Sequence, residues 1–267
     1  MIDINQHLSE GDYGQFTKLV YDRLGISLGP DKKSLVESRL ANRFRHHKCA
    51  DLAAYLKLLA GDHGELVHLF DAITTNTNSF FREVGAFNSV DEMVRQSLAK
   101  GTRRFRFWSA ACSMGMEAYT LAMLLGESGA LAHDCAILAT DISTRAIAAC
   151  QAGIYETQAI EPVPDPLKKK YLSRQANGNW QVDARLRGLM TVNRLNLSRP
   201  PFPMRGPFDA IFCRNVMIYF DRPVRQRLVA ACYDLMRPGG LLLIGAAESL
   251  HGIEHKFTTV RPAVYRR

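Results

Sequence analysis

The chain has 267 residues, of which 47% are hydrophobic, and carries a formal net charge of +8. This length accommodates one large domain or two small ones with a substantial core. No apolar run reaches the roughly 18 residues of a membrane span, and the polar, acidic N-terminal stretch is unlike a secretory signal, so we expect a cytoplasmic protein. Six scattered cysteines without metal or redox spacing indicate buried free thiols and no metal site.

Residues 1–72 are predicted to form an N-terminal helical domain. Apolar residues such as Phe16, Leu19 and Val20 recur at helical spacing, and glycine-containing breakers separate the helices. The second helix, at about 32–47, is rich in basic residues, and its Arg39 and Arg43 share a face because they lie four residues apart. That face is either an ordinary solvated surface or a docking site for an acidic partner.

Residues 73–100 are predicted to hold a linker segment and a helix. The segment TTNTNSFFRE (74–83) is polar before its two phenylalanines, and a helix is expected from Glu83 to about Leu98. A polar segment at a domain junction can line a cleft. From the residues alone, a plain linker is the simpler interpretation.

Residues 101–267 alternate between apolar runs and helical stretches. The runs at 105–113, 136–143 and 208–215 are each followed by a helical pattern, and RPGGLLLIGAAES (237–249) predicts a turn and a further strand. This alternation indicates βαβ units and a mostly parallel sheet covered on both faces. The final PAVYRR suggests a last edge strand.

The alternation is interrupted between Gly153 and Leu197. Prolines mark a loop, and strand-like pieces occur at 179–183 and 189–194 around the turn Asn177-Gly178. These pieces predict a small antiparallel β insertion at about 160–194.

Three groups of residues are expected at the ligand end of the sheet, because ligands bind beyond the carboxyl ends of parallel strands. The loop at 109–117 has small residues but no phosphate-binding glycine pattern, which suits a nucleoside without phosphates. Asp141 can accept hydrogen bonds from ribose hydroxyls or cap the next helix. Arg214 and Asn215 require either a ligand or internal partners if they are buried.

Six segments of the chain form a distinctive series: TTNTNSFFRE, RFWSAACSMGMEAYTLAMLL, ILATDIS, LMRPGGLLLIGAAESL, PAVYRR and, as the most specific motif, FDAIFCRNVMIYFD (208–221). Together they resemble the CheR-type chemotaxis receptor (MCP) glutamate O-methyltransferases. The resemblance covers nearly the whole chain in the same order. It implies an α/β fold with a Rossmann-like S-adenosyl-L-methionine (AdoMet) methyltransferase sheet and a small antiparallel β insertion, preceded by an all-α N-terminal domain.

The resemblance also implies a function. The enzyme would form glutamyl methyl esters on the cytoplasmic methylation helices of chemoreceptors and release S-adenosyl-L-homocysteine. We expect a cytoplasmic monomer, recruited to membrane receptor arrays, that uses no metal, binds no nucleic acid and does not insert into the membrane. The implied cofactor-binding residues are Asn76, Asn78, Arg82, Glu117, Asp141, Asn196, Leu197, Arg214 and Asn215. The implied catalytic residues are Arg82 and Tyr219, and the implied receptor-docking residues are Arg39, Arg43 and Arg45.

The sequence departs from the family pattern at a few positions. Asn78 stands where threonine is usual, the loop reads GMEAYT where GEEPYS is usual, and Asn42 stands where some members have a further arginine. The insertion stretch SRQANGNWQVD (173–183) is shorter than in members that grip a peptide tether at the receptor C-terminus. The enzyme is therefore expected to work without such a tether.

Two other functions remain compatible with the sequence. A nucleic-acid methyltransferase would exploit the charge of +8, although neither aromatic-basic interleaving nor an NPPY-type segment occurs. A regulatory protein of a chemosensory pathway would bind AdoMet or its product without turnover. The presence of Arg214, Asn215 and Tyr219 favours an enzyme over such a sensor.

Overall fold

The computed structural model describes residues 8–73 and 78–267, which form two compact units. One unit comprises the described residues up to 73 together with Tyr219–Asp221. The other comprises the residues from 78 to 218 and Arg222–Arg267. Within the described residues, no helix is long and apolar enough to cross a membrane.

The N-terminal unit is helical, as predicted. Its helices begin and end at ordinary capping residues: the Ser9 side chain accepts a hydrogen bond from the Asp12 amide at 3.0 Å, and Asp51 caps a later helix through the Ala54 amide at 2.8 Å. The first helix ends at Gly25, whose φ of 70° is left-handed. The helices are α1 Glu10–Leu24, α2 Lys33–His47, α3 Leu52–Gly61 and α4 His63–Ile73.

A short segment from much later in the chain, Tyr219–Asp221, belongs to this helical unit. The Ser27 amide donates to the Tyr219 carbonyl at 2.9 Å, and Ile26 forms an antiparallel β-bridge with Phe220. The sequence predicted that all of 101–267 would lie in the α/β domain. These three residues are the exception, because their backbone partners lie just after α1.

The second unit is built on a seven-stranded sheet. Its strands are β1 Arg104–Ser109, β2 Asp134–Asp141, β6 Met190–Arg194, β7 Phe208–Cys213, β8 Met236–Ile244, β9 Thr258–Arg261 and β10 Val264–Arg266. Their spatial order is β6-β2-β1-β7-β8-β10-β9. The first five in that order are parallel, and the last two run antiparallel to their neighbours. Every residue of β7 is buried, as expected for a central parallel strand covered on both faces.

The described residues of the second unit contain six α-helices. They are α5 Gly85–Ala99, α6 Met116–Glu127, α7 Thr144–Ala152, α8 Asp165–Tyr171, α9 Ala184–Arg187 and α10 Arg222–Leu235. The helix predicted for the linker region, α5, packs as part of the α/β unit, where Phe87 lies 5.0 Å from Phe212 of β7 between ring centroids. The mostly parallel α/β architecture is therefore as predicted.

The β insertion differs in extent from the prediction. A separate antiparallel sheet, in the order β3-β5-β4, is formed by β3 Ile154–Tyr155, β5 Trp180–Val182 and β4 Leu172–Arg174. The strand at 190–194, predicted to belong to the insertion, instead pairs in parallel with β2 as β6. Its partner lies far back in the chain, so the local pattern of alternating exposure could not reveal it.

The edge of the main sheet also differs from the prediction. The strand predicted from PAVYRR is β10, which is flanked on both sides by β8 and β9. The outermost strand is β9, whose four residues are all exposed. Because β9 has no buried face, it has no apolar run from which it could be predicted.

The strand order reverses between β1 and β7, since the chain builds outward to β2 on one side and to β8 on the other. The carboxyl ends of these four strands are Ser109, Asp141, Cys213 and Ile244. They lie at one edge of the parallel sheet, which is where the general rule places a ligand.

Candidate functional site

Asp141 ends β2, and its carboxylate binds two loop amides at the edge of the sheet. Its Oδ2 accepts a hydrogen bond from the Ser113 amide at 2.8 Å, and its Oδ1 accepts from the Ser143 amide at 2.9 Å. The cap of α7 is Ser143, whose hydroxyl accepts from the Ala146 amide at 3.1 Å. The alternative reading of Asp141 as a helix cap is therefore wrong, and Asp141 is a buried carboxylate at the ligand end of the sheet.

The loop after β1 approaches its surroundings closely. A Cβ atom at Gly115, where φ is 91°, would lie 2.7 Å from the Cys150 sulfur, so glycine is required there. Ser113 is also left-handed, with φ of 49°, and its hydroxyl is buried without a hydrogen-bond partner in the described part of the chain. A buried hydroxyl without a partner is unfavourable, so a polar ligand that reached Ser113 would be stabilised.

A buried ion-pair network begins at Arg214, directly after β7. Its Nη1 lies 3.0 Å from Glu117 Oε2 on α6, and its Nη2 lies 2.9 Å from Glu83 Oε2 before α5. The same Nη2 donates to the Arg82 carbonyl at 2.8 Å. The Arg214 side chain is only 3% exposed, and a charge so buried is tolerated only when it is paired. Arg214 therefore holds three segments of the α/β unit together.

The two carboxylates around Arg214 have different electrostatic environments. Burial raises the pKa of the Glu117 carboxyl, although Arg214 and the Ser109 hydroxyl, which donates to Oε1 at 2.6 Å, act in the opposite direction. Burial also acts to raise the pKa of Glu83, but the Ala246 amide at 3.0 Å and Arg214 outweigh it, so the pKa is lowered. Glu83 is thus the firmly ionised partner.

One N–H group of the Arg214 guanidinium makes no hydrogen bond among the described residues. Its Nε is buried and has no hydrogen-bond partner among the described residues, while the guanidinium carbon lies 5.3 Å from the centre of the Phe87 ring. A planar guanidinium over an aromatic face is favourably placed. Among the described residues of this unit, the Ser113 hydroxyl and the Arg225 Nε are the other buried side-chain donors without a partner.

The other residues expected to bind the cofactor occupy loops. Asn78 donates from Nδ2 to the Cys112 carbonyl at 3.4 Å. Asn196 accepts from the amide and hydroxyl of Ser198 at 3.0 and 2.8 Å, and the next residue, Leu197, is buried. Asn78 therefore contacts the loop after β1 directly.

The three remaining predicted residues differ in where they lie. The Arg82 side chain is 37% exposed, with its Nε 3.7 Å from Glu83 Oε1. Tyr219 belongs to the helical unit, unlike the other described candidates for catalysis and cofactor binding. Asn76 lies outside the described residues. Within residues 8–73 and 78–267, no group of three or more His, Cys, Asp or Glu side chains is arranged to hold a metal ion.

Comparison with known families accounts for both units. The family described as "CheR methyltransferase, SAM binding domain" matches residues 76–265, and "CheR methyltransferase, all-alpha domain" matches residues 11–74. This chain belongs to the CheR methyltransferase family. The boundary between the two matched domains falls at the junction between the helical and α/β units.

Curated relatives of this CheR methyltransferase are similar along their whole length. "Chemotaxis protein methyltransferase 2" of Pseudomonas aeruginosa is 36% identical over 263 residues, covering 97% of this chain and 94% of the relative. "Chemotaxis protein methyltransferase" of Borreliella burgdorferi is 34% identical, covering 99% and 97%, and that of Escherichia coli K12 is 33% identical, covering 97% and 91%. The protein is therefore an AdoMet-dependent methyltransferase of the CheR type.

Of the three arginines predicted to dock a receptor, Arg43 is engaged inside the helical unit of this CheR methyltransferase. Its Nε donates to Glu65 Oε1 at 2.8 Å, and its Nη2 donates to Oε2 of the same carboxylate. Glu65 also accepts from the Tyr55 hydroxyl and contacts His47 Nε2 at 2.7 Å. Burial acts to raise the pKa of Glu65, but these three partners lower it to about 2. Arg43 is therefore paired within the helical unit, and its part in receptor docking stays a prediction.

The other two arginines of the predicted docking face differ in exposure. Arg39 is half-buried and donates to the Ile73 carbonyl at the end of α4. Arg45 is exposed and hydrogen-bonds within α2, to the Asn42 side chain and the Ala41 carbonyl. Arg45 is the most accessible of the three cations.

Sequence reasoning missed two carboxylate partners in the α/β unit, Glu83 and Glu248. It singled out the loop that begins at Ser109 but not the bond from the Ser109 hydroxyl to Glu117. Glu248 follows β8, as Asp141 ends β2, so the rule that singled out Asp141 would have found it. Glu83 closes the quoted segment TTNTNSFFRE, but its partner Arg214 is distant in the chain. No local pattern links these two residues.

Replacing Arg214 with methionine would leave Glu117 buried without its cation. We expect the free energy of unfolding at neutral pH to fall by about 3–5 kcal/mol. Because protonated Glu117 needs no cation, and burial already raises its pKa, the loss should shrink as the pH falls. Denaturant unfolding from pH 5 to 8 measures this.

The double variant Arg214→Met/Glu117→Gln is the control for that experiment. It should be more stable than Arg214→Met alone at pH 8, because the deeply buried Glu117 position then carries no charge, while Glu83, whose side chain is 29% exposed, keeps its bond from the Ala246 amide. An Arg214→Met loss that stays constant with pH would contradict this account.

Proposed function

We propose that this protein transfers the methyl group of AdoMet to glutamate side chains on the cytoplasmic domain of chemoreceptors, forming glutamyl methyl esters. The observation that carries the proposal is the end-to-end similarity to proteins named chemotaxis protein methyltransferase. The proposal includes a monomeric enzyme without metal or nucleic acid, recruited to membrane arrays through its receptor substrate.

The residues at the carboxyl ends of the strands suit AdoMet. The carboxylate of Asp141 is proposed to hold the ribose. The buried Ser113 hydroxyl and Arg214 Nε, which have no partner among the described residues, are donors that a polar nucleoside would satisfy. The proposed AdoMet-binding set also includes Asn76, Asn78, Arg82, Glu117, Asn196, Leu197 and Asn215. The cofactor supplies a methyl group that is already activated by its sulfonium.

The acceptor needs little chemical activation. A glutamate carboxylate has an ordinary pKa near 4.3 and is ionised at neutral pH, so no general base is required. The task of the protein is to align the carboxylate, and alignment can contribute on the order of 7–11 kcal/mol. Arg82, which is partly exposed, is proposed to orient the carboxylate through charge-assisted hydrogen bonds. Tyr219 is proposed to shape the methyl pocket.

The exposed face of α2 is proposed to dock the acidic methylation helices of the receptor. Arg45 lies on this face and is exposed, as are His46 and Lys48. Arg39 contributes in part, since its guanidinium also binds the end of α4. Arg43 contributes indirectly, because its pair with Glu65 fixes α2 against α4.

Methyl transfer to a receptor cytoplasmic fragment tests the proposed function. With tritiated AdoMet, we expect label on the receptor that is released by mild base, because carboxyl methyl esters hydrolyse under those conditions. Label in nucleic acid would favour the alternative methyltransferase class. AdoMet binding without transfer to any of several receptors would favour the regulatory alternative.

The short insertion is proposed to make the enzyme independent of a receptor tether. Strands β4 and β5 are joined by a tight turn, in which the Gln175 amide donates to Asn179 at 2.8 Å and the Gly178 amide donates to Gln175 at 3.0 Å. We expect receptor fragments with and without a C-terminal tether peptide to be methylated at equal rates. Micromolar affinity for the isolated peptide, measured by calorimetry, would overturn this.

The proposed roles predict different kinetic defects. Arg82→Ala and Tyr219→Phe should lower turnover more than AdoMet affinity, because these side chains are assigned to the acceptor. Asp141→Ala should mainly weaken AdoMet binding, by tenfold or more if one charge-assisted hydrogen bond of about 1.5–3 kcal/mol is lost. Calorimetry measures the AdoMet affinity of each variant, and a methyl-transfer assay measures its turnover. Equal loss of AdoMet binding in all three variants would refute this assignment of roles.

A further inference from the structure

Glu248 accepts three backbone hydrogen bonds at the carboxyl ends of two neighbouring strands. Its Oε2 accepts from the Asn215 amide at 2.8 Å and from the Gly245 amide at 2.6 Å. Its Oε1 accepts from the Ile218 amide at 3.2 Å. One carboxylate therefore fixes the chain just beyond β7 and just beyond β8.

The backbone held by Oε2 is in an unusual conformation. Asn215 has a left-handed φ of 56°, which non-glycine residues seldom adopt. The two turns are also closely packed, since a Cβ at Gly245 would lie 2.5 Å from Asn215 Nδ2 and 2.9 Å from Glu248 Oε2. The bonds to Oε2 therefore help to hold Asn215 in this conformation, which asparagine tolerates better than most other non-glycine residues.

The bond to Oε1 serves a different element. Ile218 is the middle residue of the short helical turn Met217–Tyr219, and its side chain is 56% exposed. Because that side chain is so exposed, packing contributes little to fixing its position. The Glu248 bond to its amide therefore fixes the residue next to Tyr219.

We propose that Glu248 is a positioning residue with one task for each oxygen. Oε2 sets the backbone of the cofactor residue Asn215, and Oε1 sets the turn that leads to the acceptor residue Tyr219. This inference rests on the roles given to Asn215 and Tyr219 in the proposed function. The three hydrogen bonds that Glu248 accepts all come from backbone amides.

Glutamine at this position separates the two tasks, because an amide has one acceptor oxygen where the carboxylate has two. With its oxygen in the place of Oε2, the amide keeps the bonds to Asn215 and Gly245. Its NH₂ group then faces the Ile218 amide, donor against donor. The flipped orientation would oppose two amides, so the first orientation is favoured.

The test is to measure AdoMet affinity and methyl transfer to a receptor fragment for Glu248→Gln and Glu248→Ala. Glu248→Gln should keep AdoMet affinity within about twofold of the natural protein and lower kcat on the order of tenfold to a hundredfold, as small misplacements do. Glu248→Ala should weaken both AdoMet affinity and kcat, because it removes all three bonds.

Glu254→Gln is the matched control. Glu254 is exposed in the same loop, and its backbone amide and carbonyl bond Gln226, so the variant removes the same charge without touching the turns. It should behave like the natural protein in both measurements.

Three results would overturn the proposal: full activity of Glu248→Gln, equal loss of AdoMet affinity and kcat in that variant, or its failure to fold. The natural protein provides the separate check on function. If it methylates no receptor, the proposed function fails, while the AdoMet affinity of Glu248→Ala still tests the task assigned to Oε2.

Discussion

The buried guanidinium of Arg214 is the interaction on which the α/β unit depends most. It ends the central strand β7 and is paired with Glu117 and Glu83, which come from two other segments. Arg214 and Glu117 are both too deeply buried to be stable there as unpaired charges. This pairing fixes the segment before α5 to the sheet, although that segment is not part of any strand. The backbone of the partly exposed Arg82 is fixed as well, because its carbonyl accepts a hydrogen bond from Arg214.

A second type of interaction, between carboxylates and backbone amides, recurs at the ends of the parallel strands. Where a strand ends, its next amides lose their ladder partners, and here carboxylates replace those partners. Asp141 binds the amides of Ser113 and Ser143. Glu248 binds the amides of Asn215 and Gly245, just beyond β7 and β8. These bonds stabilise the left-handed residues Ser113 and Asn215 in the turns.

The sequence predicted most of this architecture, because buried parallel strands leave long apolar runs and the residues after them are chemically distinctive. Asp141, Arg214 and Asn215 were found in that way. Pairing between strands that are distant in the chain could not be predicted, so β6 was assigned to the wrong sheet. The strand β9 was missed for another reason, because all of its residues are exposed. Charge patterns are incomplete for the first of these reasons, since a row of arginines does not reveal that Glu65, on another helix, pairs with Arg43.

The three residues Tyr219–Asp221 have a consequence for how this protein can be divided. They follow β7 in the chain, yet they belong to the helical unit, where the Tyr21 hydroxyl donates to Asp221 Oδ2 at 2.6 Å and Phe220 bridges to Ile26. The helical unit is therefore discontinuous in sequence. A chimaera that exchanges only residues 1–73 between family members would pair a foreign helical bundle with the native segment, so functional exchange requires that both pieces move together.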